Sequence, residues 1–486
     1  MNETVVRQLA RRRKAVVLAS CCMSVLIVSM DATIVNVAIP SIRAGLSASP
    51  SQMQWVFDIY TLMVASLLLL SGAMADRFGR RRTFQIGLTV FASASLLCSV
   101  APNVEMLIGA RFLQAIGGSM LTPAALSIVT QVFTGRVERA RVIGIWGGVV
   151  GISMALGPVV GGVLIEYVDW RAVFWINVPI CALAIFLTAM FVPESKSATM
   201  RDVDLIGLGT GMAFLFGLVF VLIEGPGMGW TDTRVVVVGG LAALAFASFL
   251  RYESRRLDPF VDLRFFRSIP FASATAIAVC AYAVWGAFLF MMSLFLQGER
   301  GFSAVHTGLM FLPVAGGALI FSPLSGRLVG RFGARPSLMI AGVLITAATL
   351  MLAPVSDATP HWRLLVAFAV FGIGTSMVNA PITNTAVSGM PTDRAGAASA
   401  LASTSRQVGV SIGVALCGSV AGAALADSNV DFAVSARPLW LVFAGVGVLI
   451  LTLGVYSTSG RALRSAEHLA PLIAGTDPRR ESAGVG

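Results

Sequence analysis

The stretch Gly72-Ala73-Met74-Ala75-Asp76-Arg77-Phe78-Gly79 reappears as Gly326-Arg327-Leu328-Val329-Gly330-Arg331-Phe332-Gly333, 254 residues later. A second pair keeps nearly the same offset. Ile116-Gly117-Gly118-Ser119-Met120, followed by Pro123, matches Ile373-Gly374-Thr375-Ser376-Met377, followed by Pro381, at 257 and 258 residues. Two ordered matches at nearly one offset mark an internal duplication. Both copies sit between apolar stretches of about twenty residues, long enough to cross about 30 Å of hydrocarbon.

Composition agrees. Of 486 residues, 56% are hydrophobic and 12% charged, against about 25% charged in a soluble domain. Apolar windows predict fourteen spans, near 15–39, 54–75, 83–100, 106–132, 142–166, 172–191, 205–224, 235–250, 271–296, 304–324, 337–354, 364–386, 397–425 and 439–458. The repeat offset covers eight spans while each half holds six, so the seventh and eighth read as an insertion. The expected fold is an all-α polytopic membrane protein: two six-helix bundles (1–193 and 268–458), a linker with two inserted transmembrane helices (194–267), and a cytoplasmic tail (459–486). Paired halves with a site between them are a transporter architecture.

The net charge of +11 follows from topology and not from a nucleic-acid partner. With the N-terminus inside, cytoplasmic segments carry 27 Lys and Arg against six outside, which places both termini in the cytoplasm of a plasma (inner) membrane protein. The first apolar run is too long for a cleaved signal and contains Asp31, so it reads as a retained helix. The two lysines, Lys14 and Lys196, each follow a residue other than glycine, so no phosphate-binding loop exists and no nucleotide is expected. The six cysteines lie in apolar segments without metal-ligand spacing, and His306, His361 and His468 lie far apart. Hence no metal, cofactor or disulfide is expected, and no enzyme. A receptor or sensor would call for a soluble signalling domain, which the tail is too short to supply.

Ionisable groups inside the spans are few, and each needs a partner or cavity, because a charge at the bilayer centre costs about 2.5–3.5 kcal/mol on insertion scales. Asp31 lies about 12 Å from the outer end of the first span, Asp58 about 6 Å from that of the second, and Arg111 about 8 Å from that of the fourth. The three can therefore meet. One arginine compensates one aspartate, and the leftover carboxylate suits reversible protonation coupled to cargo. Asp31 and Arg111 are the expected proton-coupling pair, with Asp58 attracting a cationic cargo or carrying the proton. The plainer alternatives are a static ion pair, a wetted interfacial Asp58 and a snorkelling Arg111. Arg406 and Gln407 fall about 15 Å into the thirteenth span, with no acid inside the last six spans. Arg406 either faces a cavity and an anionic group, bonds backbone carbonyls, or approaches the first half. Trp285, Phe288 and Met292 form one stripe of the ninth span, suited to a permissive substrate pocket or to lipid.

These residues resemble the major facilitator superfamily, in its fourteen-helix drug:proton antiporter branch. Gly72 to Arg82 (GAMADRFGRRR) is similar to the superfamily's loop between the second and third helices, and Arg111-Phe112-Leu113-Gln114 with Gly117 to its fourth-helix motif. Gly147 to Gly162 (GGVVGISMALGPVVGG) resembles the antiporter motif of the fifth helix, and Met30 to Pro40 (MDATIVNVAIP) the first-helix motif. The resemblance implies a conformational latch at Gly72, Asp76, Arg77, Gly79 and Arg80, in which Asp76 can meet an exposed helix N-terminus. It also implies an antiporter bend at Gly147, Gly151, Gly157, Pro158 and Gly161, where small residues let helices approach closely. Trp55-Val56-Phe57-Asp58-Ile59-Tyr60 resembles exporters of quaternary ammonium compounds, implying a lipophilic cation as cargo and Asp58, Tyr60 and Gln114 as substrate contacts. The second half departs from those exporters: Gly316 and Gly317 stand where an acid is expected, which speaks against divalent cations. The expected function is proton-coupled efflux of lipophilic, cationic drugs by alternating access. A dedicated exporter of one metabolite, lipid or antibiotic would use the same coupling residues. The partners are the bilayer, protons and a small lipophilic substrate, and the sequence leaves an envelope adaptor open.

Overall fold

The computed structural model describes residues 3–133, 135–195, 204–256, 259, 261–388, 390, 395–426 and 432–474. No strand occurs among them. The helices are α1 (Glu3–Leu46), α2 (Pro50–Phe78), α3 (Arg80–Ser99), α4 (Val104–Val132), α5 (Arg136–Tyr167), α6 (Ala172–Trp175), α7 (Asn177–Phe191), α8 (Leu205–Met228) and α9 (Thr233–Glu253). They continue with α10 (Ile269–Leu294), α11 (Ala304–Met310), α12 (Leu312–Phe332), α13 (Ala334–Leu352), α14 (His361–Ser376), α15 (Asn379–Val387), α16 (Ala395–Ala426), α17 (Phe432–Ser457) and α18 (Gly460–Ala474).

Local sequence sets the starts. Ser49 caps α2: its hydroxyl accepts from the Gln52 amide at 3.2 Å while Gln52 Oε1 accepts from the Ser49 amide at 2.8 Å, with Pro50 in the first turn. Asn103 caps α4 through the Met106 amide at 2.8 Å. Three expected spans are broken, the sixth at Ile176, the tenth at Phe311 and the twelfth at Met377–Val378. A proline enters the first turn after each break (Pro179, Pro313, Pro381), and its missing N–H removes a rung of the helical ladder. Pro40 lies inside α1 without ending it.

Eleven helices among the described residues are long and apolar enough to span a membrane, or twelve if the bent pair Pro50–Leu68 and Leu70–Phe78 is one span. The remaining two expected spans coincide with α16 and with α3, whose arginines and polar residues lower its hydropathy. Outward faces are apolar; Leu205, Val236, Leu241 and Leu244 are all more than half exposed. Such faces suit hydrocarbon and not water.

Two compact units divide the chain: Met1–Val203 with Leu289–Ala315, and Asp204–Phe288 with Gly316–Gly486. In the first, α1 crosses α5 at Gly157 and Gly161. A Cβ at Gly157 would stand 2.0 Å from Thr33 Oγ1, and one at Gly161 2.6 Å from Ile34 Cγ1. Without lipid-excluding apolar force, such close backbone approach supplies much of the cohesion between membrane helices. The opposite approach is made by α11, where a Cβ at Gly162 would lie 2.4 Å from the Ala304 carbonyl and one at Gly308 2.4 Å from that of Pro158. In the second unit α13 and α17 meet in the same way, a Cβ at Gly447 falling 2.4 Å from Thr346 Oγ1. The expected linkers and tail lie partly outside the described residues. Within the described part, Asp204 caps α8 at the Gly207 amide (2.9 Å) and pairs with Arg256 at 3.3 Å.

Candidate functional site

A fully buried polar cluster occupies the first unit. Arg111 on α4 donates from Nη1 to Asp31 Oδ2 on α1 at 2.6 Å and to Gln114 Oε1, one turn along α4, at 2.7 Å. Its Nε donates to the Val56 carbonyl of α2 at 3.1 Å. Gln114 returns the contact, its Nε2 donating to Asp31 Oδ1 at 3.0 Å and to Ser95 Oγ of α3 at 2.8 Å. The Tyr60 ring lies 4.2 Å from the Arg111 guanidinium carbon, a cation–π geometry. Asp31, Arg111, Gln114 and Ser95 have no exposed surface.

Asn177 completes the cluster. Its Nδ2 donates to Asp31 Oδ1 at 3.4 Å and to Ser95 Oγ at 3.5 Å. It is the first residue of α7, immediately after the break at Ile176. Neither Asn177 nor Ser95 is expected from the sequence, since neutral polar residues in apolar helices carry no distinctive signal. The pattern Asn177-Val178-Pro179 is the one available clue: a polar residue at a proline-induced break. Three groups of the cluster keep unused hydrogen-bonding capacity, Arg111 Nη2, Tyr60 Oη and Asn177 Oδ1. A buried ion pair stands only when its remaining hydrogen bonds are supplied, and this one leaves three polar groups without a partner among the described contacts.

Asp58 is also fully buried. Thr61 Oγ1 donates to its main-chain carbonyl at 3.1 Å and lies 3.5 Å from Oδ1. The structure thus joins Asp31, Arg111, Gln114 and Tyr60 in one cluster. Flanking this cluster, Thr33 and Ile34 meet Gly157 and Gly161 of α5, so the glycines of the fifth-helix motif set the seat of Asp31. Pro158 is buried at the same crossing. The surroundings of Gly147 and Gly151 fall outside the described residues.

At the loop motif, Gly79 takes φ +111°, a conformation that side chains rarely adopt, and turns the chain from α2 into α3. Asp76 pairs with Arg80 one turn on, at 3.3 Å. The α3 N-terminus is occupied by Glu194, whose carboxylate accepts from the amides of Arg81 and Arg82, both at 3.2 Å. The carboxylate thus sits at the positive end of the helix dipole. A Cβ at Gly79 would meet Glu194 Oε1 at 2.5 Å. A Cβ at Gly72 would meet Pro123 at an ordinary 3.9 Å, and Arg77 lies over the Phe78 ring. Glu194 is a further residue that sequence reasoning misses, because it acts across more than a hundred positions.

The expected aromatic stripe divides. In the second unit Phe288 is buried between Phe368 and Phe371, with ring centroids at 4.9 and 4.0 Å, and Trp285 stacks on Phe371 at 6.1 Å while keeping partial exposure. Met292, 1% exposed, belongs to the first unit.

A helical, membrane-spanning fold with a sequestered Asp–Arg pair defines a polytopic membrane protein. The family model described as Major Facilitator Superfamily matches residues 21–414, and the chain belongs to that family. It is 36% identical over 413 residues to the Multidrug resistance protein Stp of Mycobacterium tuberculosis, covering 85% of this chain and 76% of the relative. It is 34% identical over 414 residues to the Tetracenomycin C resistance and export protein of Streptomyces glaucescens, covering 84% and 76%. Among solved structures a D-xylose–proton symporter is similar in fold, with a TM-score of 0.65 at 14% identity over 91% of this chain and 97% of the other. The protein is therefore a multi-pass membrane transporter and not an enzyme.

Proposed function

We propose that this chain exports lipophilic compounds, cationic ones included, in exchange for protons by alternating access. The observation that carries the reading is the Arg111–Asp31 pair at 2.6 Å, with no exposed surface on either residue. Burying two charges costs several kcal/mol per ion before their attraction is counted, so a pair of this kind in a membrane helix is a functional feature by default. Protonation of Asp31 removes the countercharge of Arg111, whose free Nη2 and the Tyr60 hydroxyl then offer alternative contacts. Because Asp31 is seated at the α1–α5 crossing, the change of charge acts where two helices pack closely. Asp58, without exposed surface, fits a second proton carrier or a contact that cationic cargo reaches only after rearrangement. Tyr60, Gln114, Trp285, Phe288 and Met292 remain the proposed substrate contacts.

The names of both curated relatives, one a multidrug resistance protein and one a resistance and export protein, support efflux as the direction. The tetracenomycin C relative favours the narrower second reading, a dedicated exporter of one compound. For architecture we propose fourteen spans with both termini cytoplasmic, arranged as duplicated bundles at 1–193 and 268–458 around two inserted helices in 194–267, with the tail at 459–486. Gly72, Asp76, Arg77, Gly79 and Arg80 form the latch, and Gly147, Gly151, Gly157, Pro158 and Gly161 the antiporter bend. Impermeant-thiol labelling of single cysteines placed at Ser356 and Asp232 tests the topology: both label from outside under this arrangement, and labelling of either only after permeabilisation contradicts it. Gradient-driven dye flux in inside-out vesicles tests the function: uptake under an inside-acid gradient is expected, and its absence for a panel of lipophilic compounds sinks the multidrug reading.

A further inference from the structure

The second unit holds a charge that the coupling scheme leaves unused. Arg406 lies eleven residues into α16, about 16 Å from its start. Nη1 donates to Asn379 Oδ1 at 3.1 Å and Thr383 Oγ1 at 3.4 Å, and Nη2 to Ser403 Oγ at 2.9 Å. Every one of these partners is neutral. The ion pairs described in this unit join Arg234 to Asp232, Arg256 to Asp204 and Arg264 to Asp262. Arg406 enters none among the described residues.

An unpaired guanidinium in a span is tolerated only where water or a ligand reaches it. Asn379 is exposed, and Arg406, Thr383 and Ser403 are half-buried. A contiguous polar surface at this depth does not suit lipid, so water or a ligand is expected to reach it. Asn379 begins α15 just beyond the break ahead of Pro381, the arrangement that presents Asn177 to Asp31 in the first unit. The two breaks differ in what they serve: Asn177 faces a carboxylate already paired, whereas Asn379 holds an arginine that enters no ion pair among the described residues. Aromatic surface adjoins it. Tyr282 of α10 faces the same Asn379 amide and the Arg406 charge, and Trp285, one turn further, is half-buried and stacked on Phe371.

We propose that Arg406, held by Asn379, Thr383 and Ser403, binds the carboxylate or phenolate of a planar aromatic compound whose rings lie against Tyr282 and Trp285. The guanidinium fork suits a planar anion, offers spare donors and is charged at every working pH. As a statement about cargo this rests on the export reading, and it adds anionic aromatics to the compounds carried; as a statement about binding it stands by itself.

The test is equilibrium binding, without any gradient, to the purified full chain in nanodiscs near neutral pH. The probes share one fluorescent ring system: anthracene-9-carboxylate, its neutral carboxamide and the cationic 9-aminomethyl analogue. Native protein is expected to bind the carboxylate about tenfold or more tighter than the carboxamide, the scale of a charge-assisted contact. Arg406→Gln abolishes that preference without weakening the carboxamide, and Arg406→Lys keeps part of it. Asn379→Asp leaves the arginine in place but gives it an internal countercharge, and it too abolishes the preference, which covers the case in which Arg406→Gln fails to fold. Equal affinity of native protein for carboxylate and carboxamide overturns the proposal, as does a preference that survives Asn379→Asp. A chain that selects the anion but shows no proton-driven flux of any probe keeps this site and loses the export reading; flux without anion selectivity does the reverse.

Discussion

Replacing Asp31 by Asn keeps the shape of the buried cluster and removes one charge. Arg111 then retains Gln114 and the Val56 carbonyl as acceptors, but no anion. A guanidinium does not shed its proton, and breaking a buried pair from one side costs about 3–5 kcal/mol. Removing the arginine instead, as Arg111→Leu, leaves Asp31 with the Gln114 and Asn177 donors at 3.0 and 3.4 Å. A carboxylate can also take up a proton, so that loss is smaller, about 1–3 kcal/mol. The double variant removes both charges and recovers most of the stability, because neutral replacements of buried pairs are often nearly neutral. If the first unit, roughly 230 residues, unfolds as one body, the Asp31→Asn loss corresponds to about 6–10 °C in Tm. The assay is thermal unfolding in detergent of the native chain, both single variants and the double, read as a double-mutant cycle. The expected order is native, then double, then Arg111→Leu, then Asp31→Asn. Additive losses, with the double variant least stable, would show that the two residues do not share the energy the geometry assigns to them.

Glu194→Ala removes the carboxylate over the first turn of α3 and is expected to cost about 1 kcal/mol, as for a lost helix cap, with Glu194→Gln costing less; thermal unfolding reads both. Gly157→Val forces α1 from α5 at Thr33 and is expected to destabilise by about 1–3 kcal/mol and to abolish flux in protein that still reaches the membrane, whereas Gly148→Ala on the same helix, where a Cβ meets nothing within 4 Å, leaves both unchanged. Ser293 Oγ donates to the Asn36 carbonyl at 2.6 Å and Gln297 Nε2 to that of Val37 at 3.0 Å. Losing one such bond costs about 0.5–1.5 kcal/mol, so Ser293→Ala and Gln297→Ala are each expected to speed impermeant maleimide labelling of a cysteine at Asn36 about two- to tenfold. Asn177→Leu removes a donor to Asp31 while leaving the Arg111 contact, and is expected to shift the pH at which flux is half-maximal with little change in protein yield; flux assays across pH check it.

The charges in the spans were the most legible part of the site. Asp31 and Arg111 stand out because ionised side chains are costly in hydrocarbon, and their depths along two helices put them at one level. Gln114 entered only through the resemblance of Arg111 to Gln114 to the superfamily's fourth-helix motif. Ser95 and Asn177 were not legible, since a serine or asparagine within an apolar span is as often satisfied by its own helix as by a partner. Glu194 was hidden for a different reason: helix capping is ordinarily read from the residues just before the helix, and here the cap arrives from a segment 113 positions away. The helices themselves followed from hydropathy, but their breaks at Ile176, Phe311 and Met377–Val378 did not, because a proline in a membrane span signals either a bend or a stop. Phe288 shows the limit of periodicity: its stripe is real, yet aromatic partners on α14 bury it, and only Trp285 keeps open surface.

Flux reads the proposed proton exchange through the Asp31–Arg111 cluster. Inside-out vesicles containing the native chain, Asp31→Asn or Asp58→Asn are given an inside-acid gradient and ethidium. Native vesicles are expected to accumulate dye, Asp31→Asn vesicles with equal amounts of folded protein to accumulate none, and dissipation of the gradient to release what the native vesicles hold. Gradient-driven accumulation by Asp31→Asn at the native rate would contradict the account, leaving the buried pair a structural strut.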